Sequence, residues 1–280
     1  MVTGSNPVRP TNEYLHFVDN FLKSRRQGLS PGSLKFYEAY LNLSYPVVGV
    51  NTTSQEISQF LDSLKCSNGG KHAYFRTLRV FYNWLYSPKS GYGLNPQNNP
   101  ILMFDAPKVE KRILPSLTVE QVDYLIEKAE CVRDKAIISL FVDSGLRLTE
   151  LANINLKNID WDNRVIKVVC KGNKEGLAPF GERTERLMRE WLCQYHVNGC
   201  LWDLNSWGIV DVLKRLSEKT GLPCHAHTFR RTFACLLRKA GLDTMTIKDL
   251  GRWESLEMVQ RYTRSVTFQD SLKFYKAPLS

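Results

Sequence analysis

Apolar residues recur at three- and four-residue spacing along most of the chain, the period of helices with one buried face. Tyr14, Phe17, Val18, Phe21 and Leu22 set the first stripe, beginning near Thr11. Leu34, Tyr37, Tyr40 and Leu41 set the second. It follows Ser30-Pro31, where Ser suits the N-cap and Pro the first helical position. Ile57, Phe60, Leu61 and Leu64 predict a third helix. Tyr74, Leu78, Phe81, Trp84 and Leu85 predict a fourth over about 70–86, leaving Lys71, Arg76 and Arg79 for its other side. Together these stripes predict a small all-helical bundle.

The pattern breaks over 87–115, where Pro88, Gly91, Gly93, Pro96, Pro100, Pro107 and Pro115 argue against a continuous helix and for a domain connection. Lys108, Lys111 and Arg112 make part of it basic. Thr118 and Gln121 then have capping-box spacing ahead of Val122, Leu125 and Ile126, which opens a second, larger domain. Inside it, Val165-Ile166-Lys167-Val168-Val169, a polar turn and Leu177-Ala178-Pro179-Phe180 read as a β-hairpin or small sheet. The expected fold class is mainly α with a small β-sheet. We divide the chain into a flexible tail over 1–10, a helical bundle over 11–105, a linker over 106–116 and an α+β domain with a C-terminal tail over 117–280.

Charge narrows the class of partner. The formal net charge is +10, and the excess is not confined to a tail. Residues 1–105 carry 10 Lys and Arg against 6 Asp and Glu, and residues 106–280 carry 28 against 22. Both parts therefore suit a polyanion, because each cation on a phosphate releases a counterion; a solubilising excess is the plainer alternative. Seven scattered cysteines, no signal peptide and no apolar run near 18 residues predict a cytoplasmic protein with free thiols and no membrane association. Cys193, His196 and Cys200 have ligand-like spacing but lack a fourth ligand, so no metal site is expected.

Several segments carry residues suited to phosphate chemistry. Arg147 follows Gly145 and the apolar run 137–142, an expensive place for charge without a partner, and Glu150 is three residues on. In His227-Thr228-Phe229-Arg230-Arg231-Thr232-Phe233, Arg230 falls in the first turn of an apolar helix that ends at Gly241, where an anion is favoured. His227 would precede that helix and could donate to the same phosphate or accept a proton; His225 competes for the role. Two guanidiniums can grip the non-bridging oxygens of one phosphate. Tyr262 offers a phenol that can attack phosphorus, nine residues after Trp253 and its indole N–H. Tyr195 and Tyr275 are alternative nucleophiles. Lys171 sits in the hairpin turn with Lys174 as its rival, and Arg231 is read as a backbone-phosphate or salt-bridge residue. Taken singly, each residue has an ordinary explanation in packing, capping or solvation. There is no compact carboxylate set, metal-spaced His pair or Gly-rich phosphate loop of a metal-dependent nuclease.

In order and spacing these residues resemble the tyrosine site-specific recombinases, the family of phage integrases and Xer-type recombinases. That family carries Gly-Leu-Arg-x-x-Glu-Leu, a hairpin lysine, His-x-x-Arg-(His/Arg)-Thr-Phe, then Leu-Gly-(Gly/His)-(Trp/His), and a tyrosine nine residues after that Trp or His. Arg147, Lys171, His227, Arg230, Trp253 and Tyr262 fall on those positions, with Glu150 in support. Arg231 and Trp253 stand where His is common, and Cys170 stands at the first Gly of the hairpin pattern.

The resemblance implies a helical, SAM-like core-binding bundle and a catalytic domain clamped around double-stranded DNA. It implies cleavage and rejoining through a 3′-phosphotyrosine without metal, ATP or other cofactor, with the hairpin lysine as general acid. It further implies a homotetramer on two recombination sites. Lys71, Arg76, Arg79, Lys174 and Arg231 are the expected DNA-binding cations. Phe268, Leu272, Phe274 and Tyr275 in the C-terminal tail form an apolar set that could dock on a neighbouring protomer. The short stretch before residue 11 suggests a simple core recombinase without an arm-type domain. A type IB topoisomerase-like nicking and closing enzyme, or a DNA-binding protein that has lost catalysis, are the rival readings.

Overall fold

The computed structural model describes residues 12–110, 114–170, 172–195 and 199–275. The expected tail over 1–10, Lys111 and Arg112 of the basic connection, Lys171 and His196 lie outside them. The chain forms two compact units, Met1–Lys111 and Arg112–Ser280.

Among its described residues, the first unit is built on the α-helices α1 (Asn12–Arg25), α2 (Pro31–Leu43), α3 (Ser54–Ser63) and α4 (Asn68–Leu85). The predicted stripes meet in its core, where Phe21, Leu41, Ile57, Leu78, Phe81 and Leu85 are fully buried. Ser30 caps α2 by accepting from the Ser33 N–H at 3.2 Å, with Pro31 at the first helical position. Thr53 and Glu56 form a capping box on α3 that the apolar pattern alone does not reveal. The proline-rich stretch after α4 departs from the expected connection. Pro88, Pro96 and Pro100 each begin a short 3-10 turn, and Asn95 and Asn99 cap the latter two. Ile101 inserts into the helical core, and Phe104 and Ala106 pack against it. Proline breaks an α-helix but presets the backbone of such turns, so much of the stretch is folded onto the bundle.

The second unit contains α5 (Val119–Lys128), α6 (Val132–Ser144), α7 (Leu148–Ala152), β1 (Ile159–Asp160), β2 (Val165–Cys170), β3 (Lys174–Pro179), α8 (Glu182–Gln194), α9 (Ser206–Thr220), α10 (Ala226–Lys239), α11 (Thr244–Leu250), α12 (Leu256–Tyr262) and α13 (Phe268–Leu272). The Thr118–Gln121 capping box starts α5. The sheet is antiparallel in the order β1-β2-β3, with Ile166 opposite Ala178 and Cys170 opposite Lys174. The fold is therefore mainly helical with one small sheet. Helices α6 and α10 pack together, and the rings of Phe141 and Phe229 stack across them at 5.6 Å. Every residue of α10 from Thr228 to Cys235 is buried, including two arginines. Burying charge inside an apolar helix pair is costly unless every donor finds a partner, and those partners define the site. No helix among the described residues is long and apolar enough to cross a membrane.

Candidate active site

Arg147 is placed by the end of α6. Gly145 turns the chain with φ +56° while its N–H still reaches the Phe141 carbonyl at 3.0 Å. A Cβ at Gly145 would also strike the Phe233 ring, so this turn requires glycine twice over. Arg147 then occupies the N-cap of α7. Its backbone N–H donates to Glu150 Oε2 at 2.9 Å, and its guanidinium pairs with Glu150 Oε1 at 2.5 Å. Burial pushes the Glu150 carboxyl up, but the Arg147 N–H groups and the charges of Arg147 and Arg252 outweigh it and hold it below the usual carboxylate range.

The helix carrying His227 and Arg230 starts earlier than the spacing suggests. His225 takes the N-cap with extended backbone, so His227 lies in the first turn of α10 and Arg230 in the second. Arg230 is thus not a helix-terminus ligand; its support comes from two other turns. One of its terminal nitrogens donates to the Gly145 carbonyl and the other to the Gly251 carbonyl, the latter at 2.6 Å. Its guanidinium carbon lies 4.5 Å from the Trp253 ring centroid. Burial, then the charges of Arg147 and Arg252, push its pKa down to about 10, which leaves it protonated at neutral pH. His227 stands at the rim, exposed as a residue but with its imidazole partly desolvated by the cavity wall, and that desolvation, then the charges of Arg230, Arg231 and Arg147, hold it below its ordinary value. Arg147, His227 and Arg230 line one cavity of about 690 Å³, which His225 also borders.

Trp253 stands between Arg230 and Tyr262, its ring 5.6 Å from that of Tyr262. The indole N–H is buried without a hydrogen-bond partner. Tyr262 ends α12 half-buried, and its carbonyl accepts from the Cys235 thiol of α10 at 3.2 Å. Among the described residues, Tyr262 is the tyrosine in ring contact with Trp253. Tyr195 instead packs on Trp191 at 4.2 Å, and Tyr275 stands largely exposed.

The cations on the periphery separate into two kinds. Lys174 is exposed at the start of β3 and lines a small cleft of about 130 Å³ with Arg147, Cys170, Gly176, Arg252 and Glu254. In the first unit, Arg76 and Arg79 are exposed on α4, over the rings of Phe36 and Phe75, and the Lys71 ammonium donates to the Asp62 carbonyl at 3.1 Å. Arg231 differs from its expected surface setting. It is buried, with Nε donating to the Pro115 carbonyl at 3.2 Å and a terminal nitrogen donating to Thr228 Oγ1 at 3.1 Å. Neighbouring residues on a helix point about 100° apart, so Arg230 and Arg231 serve different surroundings.

The guanidiniums of Arg147 and Arg252 lie 2.5 and 3.8 Å from the buried Glu150 carboxylate, and the charges of both act on Arg230, so the cluster carries an excess of positive charge suited to an anion. Sequence reasoning missed Arg252. Arg252 stands where the family pattern has Gly or His, and that departure was the available signal.

The phage integrase family model matches residues 115–267, which span every described member of this cluster. The chain belongs to the phage integrase family. Among relatives, it is 32% identical over 161 residues to the tyrosine recombinase XerA of Saccharolobus solfataricus, covering 57% of this chain and 55% of that one. It is 27% identical over 286 residues to XerC of Oceanobacillus iheyensis, covering 90% and 92% of the two chains. The matched region thus spans little more than half of XerA but nearly all of XerC. Two solved structures share the fold. XerH site-specific recombinase, bound to its palindromic difH substrate, aligns with a TM-score of 0.75 and 17% identity over 96% of this chain and 97% of that one. A lambda integrase dimer bound to a core site aligns with a TM-score of 0.74 and 14% identity over 95% and 99%.

Proposed function

We propose that this family member is a site-specific DNA recombinase or integrase that cleaves and rejoins duplex DNA through a 3′-phosphotyrosine. The observation that carries this reading is that Arg147 and Arg230 line one cavity, that Arg230 lies over the Trp253 ring, and that Trp253 in turn meets the ring of Tyr262. The DNA in the XerH and lambda integrase structures supports duplex DNA as the substrate class.

In this scheme the Tyr262 phenol oxygen attacks the scissile phosphorus. The bond from phosphorus to the 5′-oxygen breaks, and the leaving oxygen takes a proton to become a 5′-hydroxyl. The phosphotyrosine ester conserves the energy of the broken bond, so attack by an incoming 5′-hydroxyl rejoins the strand without ATP. Arg147 and Arg230 hold the non-bridging oxygens and stabilise the charge that grows in the pentacovalent transition state. Arg230 commits donors to two carbonyls, and a guanidinium has five, so its placement is fixed without exhausting it. The orphaned indole N–H of Trp253 gains a phosphate oxygen as its partner. His227 donates to the same phosphate or exchanges the phenol proton. Lys171, from the hairpin turn, protonates the leaving 5′-oxygen. Side-chain cations carry the charge in every step, so none requires a metal. Four protomers would assemble on two sites in the cytoplasm.

The test is selection of cleaved sites from random duplexes in EDTA, with covalent adducts captured and the attached peptide mapped. The expected result is a 3′-linked adduct on Tyr262 and recovery of one preferred sequence. Cleavage that requires added Mg²⁺, or adducts on another residue, overturns the scheme. Light scattering on paired sites tests the four-protomer assembly.

A further inference from the structure

Arg252 does more in this fold than its place between the cluster's named residues suggests. It adopts φ +55°, a left-handed backbone that bulky residues rarely occupy. Its side chain is largely buried and works as a four-way tie. One terminal nitrogen donates to the Leu177 carbonyl of β3 at 3.0 Å and to the Leu250 carbonyl of α11 at 2.8 Å. The other donates to the Ser144 carbonyl at the end of α6 at 3.0 Å and lies 3.8 Å from Glu150 Oε2. Its alkyl stem fills the space beside Gly176, where an added Cβ would come within 2.8 Å of Arg252 Cδ and 2.9 Å of Cys170 Sγ. Glu150 in turn grips Arg147 through both its backbone and its guanidinium.

We propose that Arg252 is a positioning residue: it ties the β2–β3 hairpin to the Glu150–Arg147 pair, so that hairpin and phosphate-gripping arginine are set as one unit. Three of its four terminal N–H groups are committed to carbonyls, against two for Arg230, and the same end of the side chain approaches Glu150, so Arg252 acts through its neighbours and not on the phosphate. Lysine cannot replace it, because a single ammonium cannot span oxygens on β3, α6 and α11 in a fixed fork. This inference rests on the recombinase reading above.

The test uses the full chain on a suicide duplex carrying its cleavage site, with a second duplex bearing an uncharged methylphosphonate at the scissile position. Arg252→Gly relieves the backbone and removes the tie. Arg252→Lys keeps the charge and stem. Gly176→Ala displaces the stem from the hairpin side with Arg252 intact. Single-turnover adduct formation is expected to fall at least tenfold in both Arg252 variants and severalfold in Gly176→Ala, with duplex affinity within about threefold of the parent. The defect of the Arg252 variants should shrink on the methylphosphonate. That substrate has lost the non-bridging charge Arg147 must meet, so a misplaced Arg147 matters less. A merely structural defect would be equal on both substrates. Parent-like cleavage by Arg252→Gly, or equal defects on both substrates, overturns the role of Arg252 alone. A parent protein that forms no adduct on any duplex overturns the recombinase reading and this inference with it.

Discussion

The guanidinium of Arg230 lies over the face of Trp253 at 4.5 Å, while one of its terminal nitrogens donates to the carbonyl of Gly251, two residues before that tryptophan. One short turn therefore supplies both a π-face and a carbonyl to a buried cation. Such contacts strengthen when desolvated. Gly251 is the weak point of the arrangement, because a Cβ there would overlap the six-membered ring of Trp253. Gly251→Ala should cost about 1–3 kcal/mol by overpacking, seen as a fall of several degrees in melting temperature. It should also slow covalent attachment, because the carbonyl that holds Arg230 moves with it. An unchanged melting temperature would show that the turn can absorb the methyl group.

Tyr262→Phe should abolish covalent attachment to DNA while leaving duplex affinity close to that of the parent. The substitution removes only the reacting oxygen and keeps the ring that packs on Trp253 at 5.6 Å. Gel analysis of adducts after denaturation, with affinity measured in parallel, separates the two effects. Adducts that persist and map to Tyr195 or Tyr275 would move the nucleophile.

Arg231→Ala should act on stability and not on DNA affinity. Its donors are committed to the Pro115 carbonyl and Thr228 Oγ1 inside the second unit. Removing it leaves a buried acceptor unsatisfied, at a cost of about 1–3 kcal/mol. Arg76→Ala and Arg79→Ala should do the reverse, with each lowering the salt dependence of duplex binding by about one counterion at unchanged melting temperature. A reduced salt slope for Arg231→Ala would return it to the DNA surface.

Much of this was legible in the residues themselves. The 3.6-residue stripes gave the helices, Ser30-Pro31 and Thr118-Gln121 gave two helix starts, and the run of β-branched residues over Val165–Val169 gave β2. The order and spacing of a family pattern, and no residue singly, drew attention to Arg147, Glu150, His227, Arg230, Trp253 and Tyr262. What spacing could not carry was direction. Arg230 and Arg231 are adjacent letters, yet one faces the cluster and the other a carbonyl at the start of the unit. Whether His225 or His227 caps α10 depends on backbone angles that neither residue dictates. Arg252 departs from the family pattern, but its role was not legible because its hydrogen-bond partners are carbonyls of Ser144, Leu177 and Leu250, which every residue type presents alike. Prolines at 88, 96 and 100 forbade an α-helix but gave no sign that Ile101 would bury itself in the core.

His227 gives a pH signature with two opposite signs. Burial and the charges of Arg230, Arg231 and Arg147 lower its pKa, so the folded protein without DNA favours the neutral imidazole. Between the lowered folded value and the ordinary value of 6.5, the unfolded chain binds more protons than the folded one. The stabilisation from neutral His227 is therefore complete above pH 6.5 and is lost as pH falls from there through the folded value. His227→Asn should flatten that part of the melting-temperature profile. A bound phosphate reverses the local field, because its charge offsets the guanidiniums and favours the imidazolium. Duplex binding in mildly acidic solution should then take up a proton, measured by calorimetry in buffers of different ionisation enthalpy. Equal uptake by His227→Asn would assign that proton elsewhere.

Deleting the chain after Val266 should leave single-site cleavage possible while impairing assembly and strand exchange. The segment removed contains α13, a five-residue helix opened by a Thr267–Asp270 capping box. A helix this short is marginal in water and needs a packing partner. Within its own unit the Phe274 ring rests against Gly241, and Asp270 lies 3.9 Å from the Lys239 ammonium. Phe268 and Tyr275 remain 75% and 65% exposed, with Leu272 about half so. An apolar set left this open so close to Tyr262 fits a surface completed by a second protomer, which would link the nucleophile to assembly. Light scattering and native gels on a two-site duplex, with and without the segment, measure that link. If the shortened protein still builds a four-protomer complex and recombines at the parent rate, the segment packs within its own chain and couples nothing.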